Sequence, residues 1–111
     1  MITQQNLLQN IRWQAHDDAL LAVNDSTGAT AKANEALTAL TEARFARIDP
    51  IDGDVLVEVG SSLSNPGLPV VMSRRIRAGC PEVVQCHQAG VPWVRLLSVS
   101  GDITVAITWG I

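Results

Sequence analysis

Two spacings of apolar residues divide this chain. Up to Ile48 the pattern of longest reach has a period of seven, with Leu8, Ala15, Ala22, Ala29, Ala36 and Ala43 in one column. The column four residues on reads Arg12, Ala19, Ser26, Ala33, Leu40 and Arg47, while Ile11, Leu20, Val23 and Leu37 lie off the seam. An apolar residue at every seventh position is the signature of helices wound around one another, so the spacing predicts a coiled coil with small seam residues and shifts of register. From Val55 onward the period falls to two. Ile103, Val105, Ile107 and Trp109 share one face of an extended segment and Thr104, Ala106 and Thr108 the other, which predicts a strand with one face buried. Further strands are expected from Val55 to Val59, Pro69 to Ile76, Glu82 to His87 and Trp93 to Val99, each bounded by Gly, Pro, Asn or Ser. Gly101-Asp102, inside Ser98 to Asp102, marks a tight hairpin joining the last two.

The change of period falls at Asp49-Pro50-Ile51-Asp52-Gly53, where Pro50 forces its predecessor out of helical geometry and Asp52-Gly53 offers a turn. The expected fold is α+β: residues 1–49 form a long helix in a coiled-coil stalk, and residues 50–111 a small antiparallel all-β tip of about five strands. A helix from Thr3 to Ile48 would be about 70 Å long and bury almost nothing alone, so the stalk requires partner chains. The rival arrangement is a helical hairpin turning at Asn24-Asp25-Ser26-Thr27-Gly28, five residues that favour turns and caps. Ala22 and Ala29 keep the column in register across that cluster, which favours the continuous rod.

Composition sharpens the division: ten of thirteen Ala precede Arg47, while all five Pro and eleven of twelve Val follow Asp49. The 17% of charged residues lies below the globular average of about 25%, so some apolar surface is expected to meet another chain. A net charge of −3 gives no electrostatic reason to expect nucleic acid or an anionic membrane. No apolar run reaches the roughly 18 residues of a membrane helix, and the polar opening Met1-Ile-Thr-Gln-Gln-Asn is unlike a signal peptide.

Candidate chemistry is sparse. Cys80 and Cys86 flank an extended run whose ends would lie about 20 Å apart if straight, so two reduced thiols in a sheet are favoured over a disulfide. A metal site of Cys80, Cys86 and His87 lacks both a zinc-ribbon spacing and a fourth ligand. Cys86 and His87, adjacent on a strand, point to opposite faces, which argues against a thiol dyad. His16, beside Asp17 and Asp18, reads as part of a solvated polar face. With no nucleophile elbow, phosphate loop or paired-His motif, no enzyme, metal or cofactor is expected. Arg74, Arg75 and Arg77 form the one basic cluster, read either as ion-pair partners of an edge or as an anion site. Among the tryptophans, Trp109 continues a buried face. Trp93, entering its strand after Val91-Pro92, is the better surface contact.

The Ala- and Asn-rich run Ala29-Thr-Ala-Lys-Ala-Asn-Glu-Ala-Leu-Thr-Ala-Leu-Thr-Glu-Ala43, followed by a short Gly/Val-rich β segment, resembles the trimeric fibre and spike proteins of tailed bacteriophages. The resemblance is architectural and spans the chain. It implies a homotrimer in which three helices form a stalk and three β segments a knob that carries attachment. The expected function is thus a non-enzymatic virion component, made in the host cytoplasm, whose tip contacts a host surface glycan or a neighbouring virion protein. Trp93, Arg74, Arg75 and Arg77 are its candidate contacts. Leu8, Ala15, Ala22, Ala29, Ala36, Leu40 and Ala43 on the stalk, and Ile103, Val105, Ile107 and Trp109 on the tip, are its candidate oligomer interface. The alternative expectation is a small α+β adaptor, with the helical hairpin packed on the sheet, linking parts of a larger complex.

Overall fold

The computed structural model describes residues 11–16, 20–33, 43–64, 66–86 and 90–111. Among them there is no helix. Nine strands take their place: β1 (Trp13–Ala15), β2 (Leu21–Val23), β3 (Ala29–Lys32), β4 (Phe45–Pro50), β5 (Val55–Ser61), β6 (Arg74–Ile76), β7 (Glu82–Gln85), β8 (Pro92–Ser98) and β9 (Ile103–Gly110). The strands form two antiparallel sheets. In the first, β1 and β2 lie along one edge of β9, and β4 and then β7 follow on its other side. The second runs β3, β8, β5, β6.

Alternation of side chains explains why the two sheets close on each other. Along β4, β8 and β9 every second residue is buried, so Ala46 and Ile48, Val94 and Leu96, and Ile103, Val105 and Ile107 point into one shared interior. Val23, Ala31, Val55, Val57, Ile76 and Val84 bring β2, β3, β5, β6 and β7 to the same core. Residues on both sides of Asp49 to Gly53 therefore build one interior, and that segment is the link from β4 in the first sheet to β5 in the second.

The α+β fold with its coiled-coil stalk is thereby overturned. Ala15, Ala22 and Ala29 sit in three different strands and Ala43 is buried just before β4; Leu8, Ala36 and Leu40 lie outside the described residues. Ala15 and Ala22 are exposed there and Ala29 is half-buried, so the column marks no buried seam, and tertiary packing outweighs the few tenths of a kcal/mol per residue of helix propensity. The radius of gyration, 13.2 Å, is that of a globular chain, and the longest dimension, 40 Å, is far short of a rod. Nor is Asn24 to Gly28 a helical turn. It carries the chain from β2 to β3, with the Asn24 side-chain oxygen accepting hydrogen bonds from the backbone N–H groups of Ser26, Thr27 and Gly28.

The strands expected after Val55 are present, with two corrections. Most of Pro69 to Ile76 is loop, and only Arg74–Ile76 is strand. The Gly101 turn, at φ +67°, does reverse the chain, but β8 and β9 belong to different sheets and form no hairpin. Turn residues encode the reversal and are silent about which sheet receives the next strand.

Ile103, Val105, Ile107 and Trp109 share one face, as their spacing predicts, and that face is filled by the chain's own second sheet. His16 departs from expectation: it is 3% exposed, and its Nδ1 accepts a hydrogen bond of 3.1 Å from the Trp109 indole N–H. The two rings meet edge to face at 6.0 Å.

Candidate functional site

The outer face of the second sheet is the most differentiated surface. Strand pairing sets its rows: Lys32, Trp93 and Gly60 at one end, Arg95 and Glu58 in the middle, and Leu97, Leu56 and Arg75 at the other end. On β3 and β8 these residues alternate with fully buried ones and so lie on the face away from the core; Leu56 and Gly60 share that face and are themselves covered. Across them runs the connection from β5 to β6, described at residues 62–64 and 66–73, which acts as a strap.

Several contacts hold the strap down, beginning with Ser62, whose N–H donates to the Val91 carbonyl and whose hydroxyl accepts from the Val91 N–H, both at 2.9 Å. Gly60 has no side chain because a Cβ there would overlap Pro66, and the Arg95 guanidinium donates to the Pro66 carbonyl at 3.2 Å. Leu68 reaches the start of β3 beside Gly28. Farther on, the Ser73 N–H donates to the Val70 carbonyl at 2.8 Å, and the Ser73 hydroxyl accepts from the Val70 N–H and donates to Glu58. Val70 to Ser73 is thus a tight turn fastened to the sheet. Its central residues, Val71 and Met72, are 88% and 89% exposed, where turns ordinarily carry Gly, Pro, Asn, Asp or Ser. Between this knuckle and the sheet opens a groove of about 290 Å³ with Leu56 and Leu97 on its floor, Val70, Val71 and Val99 on its walls, and Asp25 and Arg75 at its margins.

The candidate contact residues do not converge. The Arg74 Nη2 donates to Glu82 at 2.7 Å, tying the β6 edge of one sheet to the β7 edge of the other. Arg75 directs Nε and Nη2, at 2.9 and 2.6 Å, onto one oxygen of Asp54, whose other oxygen accepts from the Ala78 N–H at 3.0 Å. That backbone hydrogen bond, and after it the guanidinium, hold the Asp54 carboxyl below its ordinary value of 3.8. Arg77 is exposed just beyond β6 and adds to the positive field at Asp54. Trp93 lies roughly 13 Å from the Arg75 row, four residues along the strand, and its ring carries the Lys32 ammonium at 4.3 Å from the centroid. Arg74 and Arg75 are therefore ion-pair partners, and of the three arginines only Arg75 lines the groove.

Cys80 is exposed and Cys86 buried, and no disulfide joins them. Burial pushes the Cys86 thiol up to about 12, the reverse of what a nucleophile needs. His87 lies outside the described residues. Among the described residues no three His, Cys, Asp or Glu side chains gather as metal ligands, and no helix is long and apolar enough to cross a membrane.

The strap escaped sequence reasoning because Pro69-Val-Val-Met-Ser-Arg-Arg-Ile reads as β-branched strand. The signal against that reading was present in Pro66 and Pro69, which cannot donate to a ladder, and in Ser73, which interrupts the apolar run. No family model matches the chain, and no curated protein or solved structure does so either.

Proposed function

We propose that the chain is a non-enzymatic structural module acting by surface contact within a homo-oligomeric attachment assembly of the fibre or spike kind, in which the β-sandwich itself is the contact-making part. One observation carries the reading: a twelve-residue connection, longer than most, crosses a sheet face and displays apolar side chains from a fastened turn. Apolar groups held in water at a fixed place cost free energy unless another surface covers them. The low proportion of charged residues agrees with this, and the raised Cys86 thiol offers no nucleophile. The stalk has no part in the proposal, nor does a helical hairpin.

The test is the mass of the full chain in solution by light scattering coupled to size exclusion, over low to high micromolar concentrations. A mass of two or more chains is expected. A monomer throughout that range overturns the homo-oligomeric reading.

A further inference from the structure

Glu58 and Arg95 stand directly opposite each other on β5 and β8, in the register that also pairs Leu56 with Leu97 and Gly60 with Trp93. Side chains so placed on one face of an antiparallel pair have Cβ atoms about 5 Å apart, within reach of an ion pair. Both are described residues, and no ion pair joins them. Each turns to the strap instead: Glu58 accepts from the Ser73 hydroxyl, and the Arg95 Nη1 donates to the Pro66 carbonyl at 3.2 Å. Two neutral groups thus stand in for the nearest opposite charge, and the Arg95 Nε–H is buried without a hydrogen-bond partner.

We propose that the strap is a latch with two states. The closed state is the one the structure holds, with Arg95 fastening the strap at Pro66 and Glu58 fastening it at Ser73. In the open state the segment from Pro66 to Met72 lifts from the sheet, the Pro66 carbonyl and the Ser73 hydroxyl turn to water, and Glu58 and Arg95 close on each other. Opening gives up two hydrogen bonds in which one partner is charged and gains a pair in which both are, the stronger kind. It also gives the stranded Nε–H an acceptor, whose lack costs free energy in a buried place. Against opening stand the apolar contacts of the closed strap, Pro66 over Gly60 and Leu68 beside Gly28, which would return to water. These contacts keep the closed state the populated one. Because Val70 and Val71 wall the groove, lifting the segment dismantles the groove and bares the Glu58 row beneath. The latch therefore governs whether the knuckle is presented at all. It concerns only how the strap is fastened, and it holds whatever the knuckle meets.

The test is thermolysin cleavage of the folded full chain within residues 66–72, whose rate follows the population of the open form. Ser73→Ala removes a closed-state bond and keeps the open-state pair, so cleavage should quicken about tenfold. Adding Glu58→Gln removes the open-state pair, and S73A/E58Q should be cut at least about threefold more slowly than Ser73→Ala alone. A Glu58 that merely fastens the strap predicts no such rescue. The Arg95 Nε–H proton resonance gives a second readout: it should move downfield in Ser73→Ala, as a carboxylate becomes its acceptor, and return in S73A/E58Q. Should Ser73→Ala not keep the native circular dichroism, Ser73→Cys in a Cys80→Ser background takes its place with the same expected order. Cleavage of the double variant as fast as that of Ser73→Ala, or an Arg95 resonance indifferent to Ser73→Ala, overturns the latch and leaves the homo-oligomeric reading untouched.

Discussion

A buried histidine bonded to a buried tryptophan is costly to separate. The Trp109 indole N–H has His16 Nδ1 as its acceptor in the interior of the first sheet, so His16→Ala strands a donor and opens a cavity together. The expected loss is about 2 to 4 kcal/mol in urea unfolding. A double-mutant cycle with Trp109→Phe isolates the bond from the cavity, with an expected coupling of about 1 kcal/mol. Coupling indistinguishable from zero would show that the two rings merely pack. Half of this pair was legible in the sequence. Trp109 continues the period-two face of Ile103, Val105 and Ile107, and is buried accordingly. His16 is preceded by a three-residue strand and followed by Asp17-Asp18, and the indole that buries it comes from the far end of the chain.

At the scale of elements, the short β6 is held by two carboxylates, Glu82 through Arg74 and Asp54 through Arg75, and the second also reaches the turn that follows. Asp54 precedes β5 and joins its neighbourhood to β6 through Arg75 and to the following turn through the Ala78 N–H. Because the folded-state carboxyl titrates below its ordinary value of 3.8, the folded chain binds its proton less readily than the unfolded one. The stabilisation is accordingly complete above the unfolded value and is lost as pH falls through the lower, folded one. Asp54→Asn, which keeps a side-chain acceptor for the Ala78 N–H but loses the charge, should melt below the parent chain at pH 7. The gap should close as pH is lowered beneath 3.8. A gap of constant size from pH 7 to pH 3 would assign the contribution to shape instead of charge. The longer strands β5, β8 and β9 were readable from their apolar runs between turn residues, with clean alternation in β9. The expected helix failed because seven-residue spacing in Ala15, Ala22 and Ala29 places one small residue in each of three consecutive strands, and composition alone does not distinguish these cases.

The connectivity of the whole molecule makes almost every ladder a long-range one. Trp13 pairs with Gly110, Ala29 with Leu96 and Phe45 with Gly110, and the links from β2 to β3, β4 to β5, β6 to β7, β7 to β8 and β8 to β9 all change sheets. Among the described strands, only β5 and β6 are neighbours both in sequence and in a sheet, and the long strap separates them. β9 is the hub, flanked by β1 and β2 on one side and β4 on the other, so the first sheet cannot assemble until the last segment of the chain arrives. Loop-closure entropy must therefore be overcome before much apolar area is buried, whereas a coiled coil or helical hairpin would begin from local contacts. Stopped-flow refolding, followed by tryptophan fluorescence at low protein concentration, should accordingly proceed in roughly milliseconds to seconds. Truncation after Thr108, which removes Trp109 and the pairs of Gly110 with Trp13 and Phe45, should leave a chain that does not complete the fold. Refolding in microseconds, or a truncated chain with native stability, would show that an early local unit, and not the closure of β9, directs assembly.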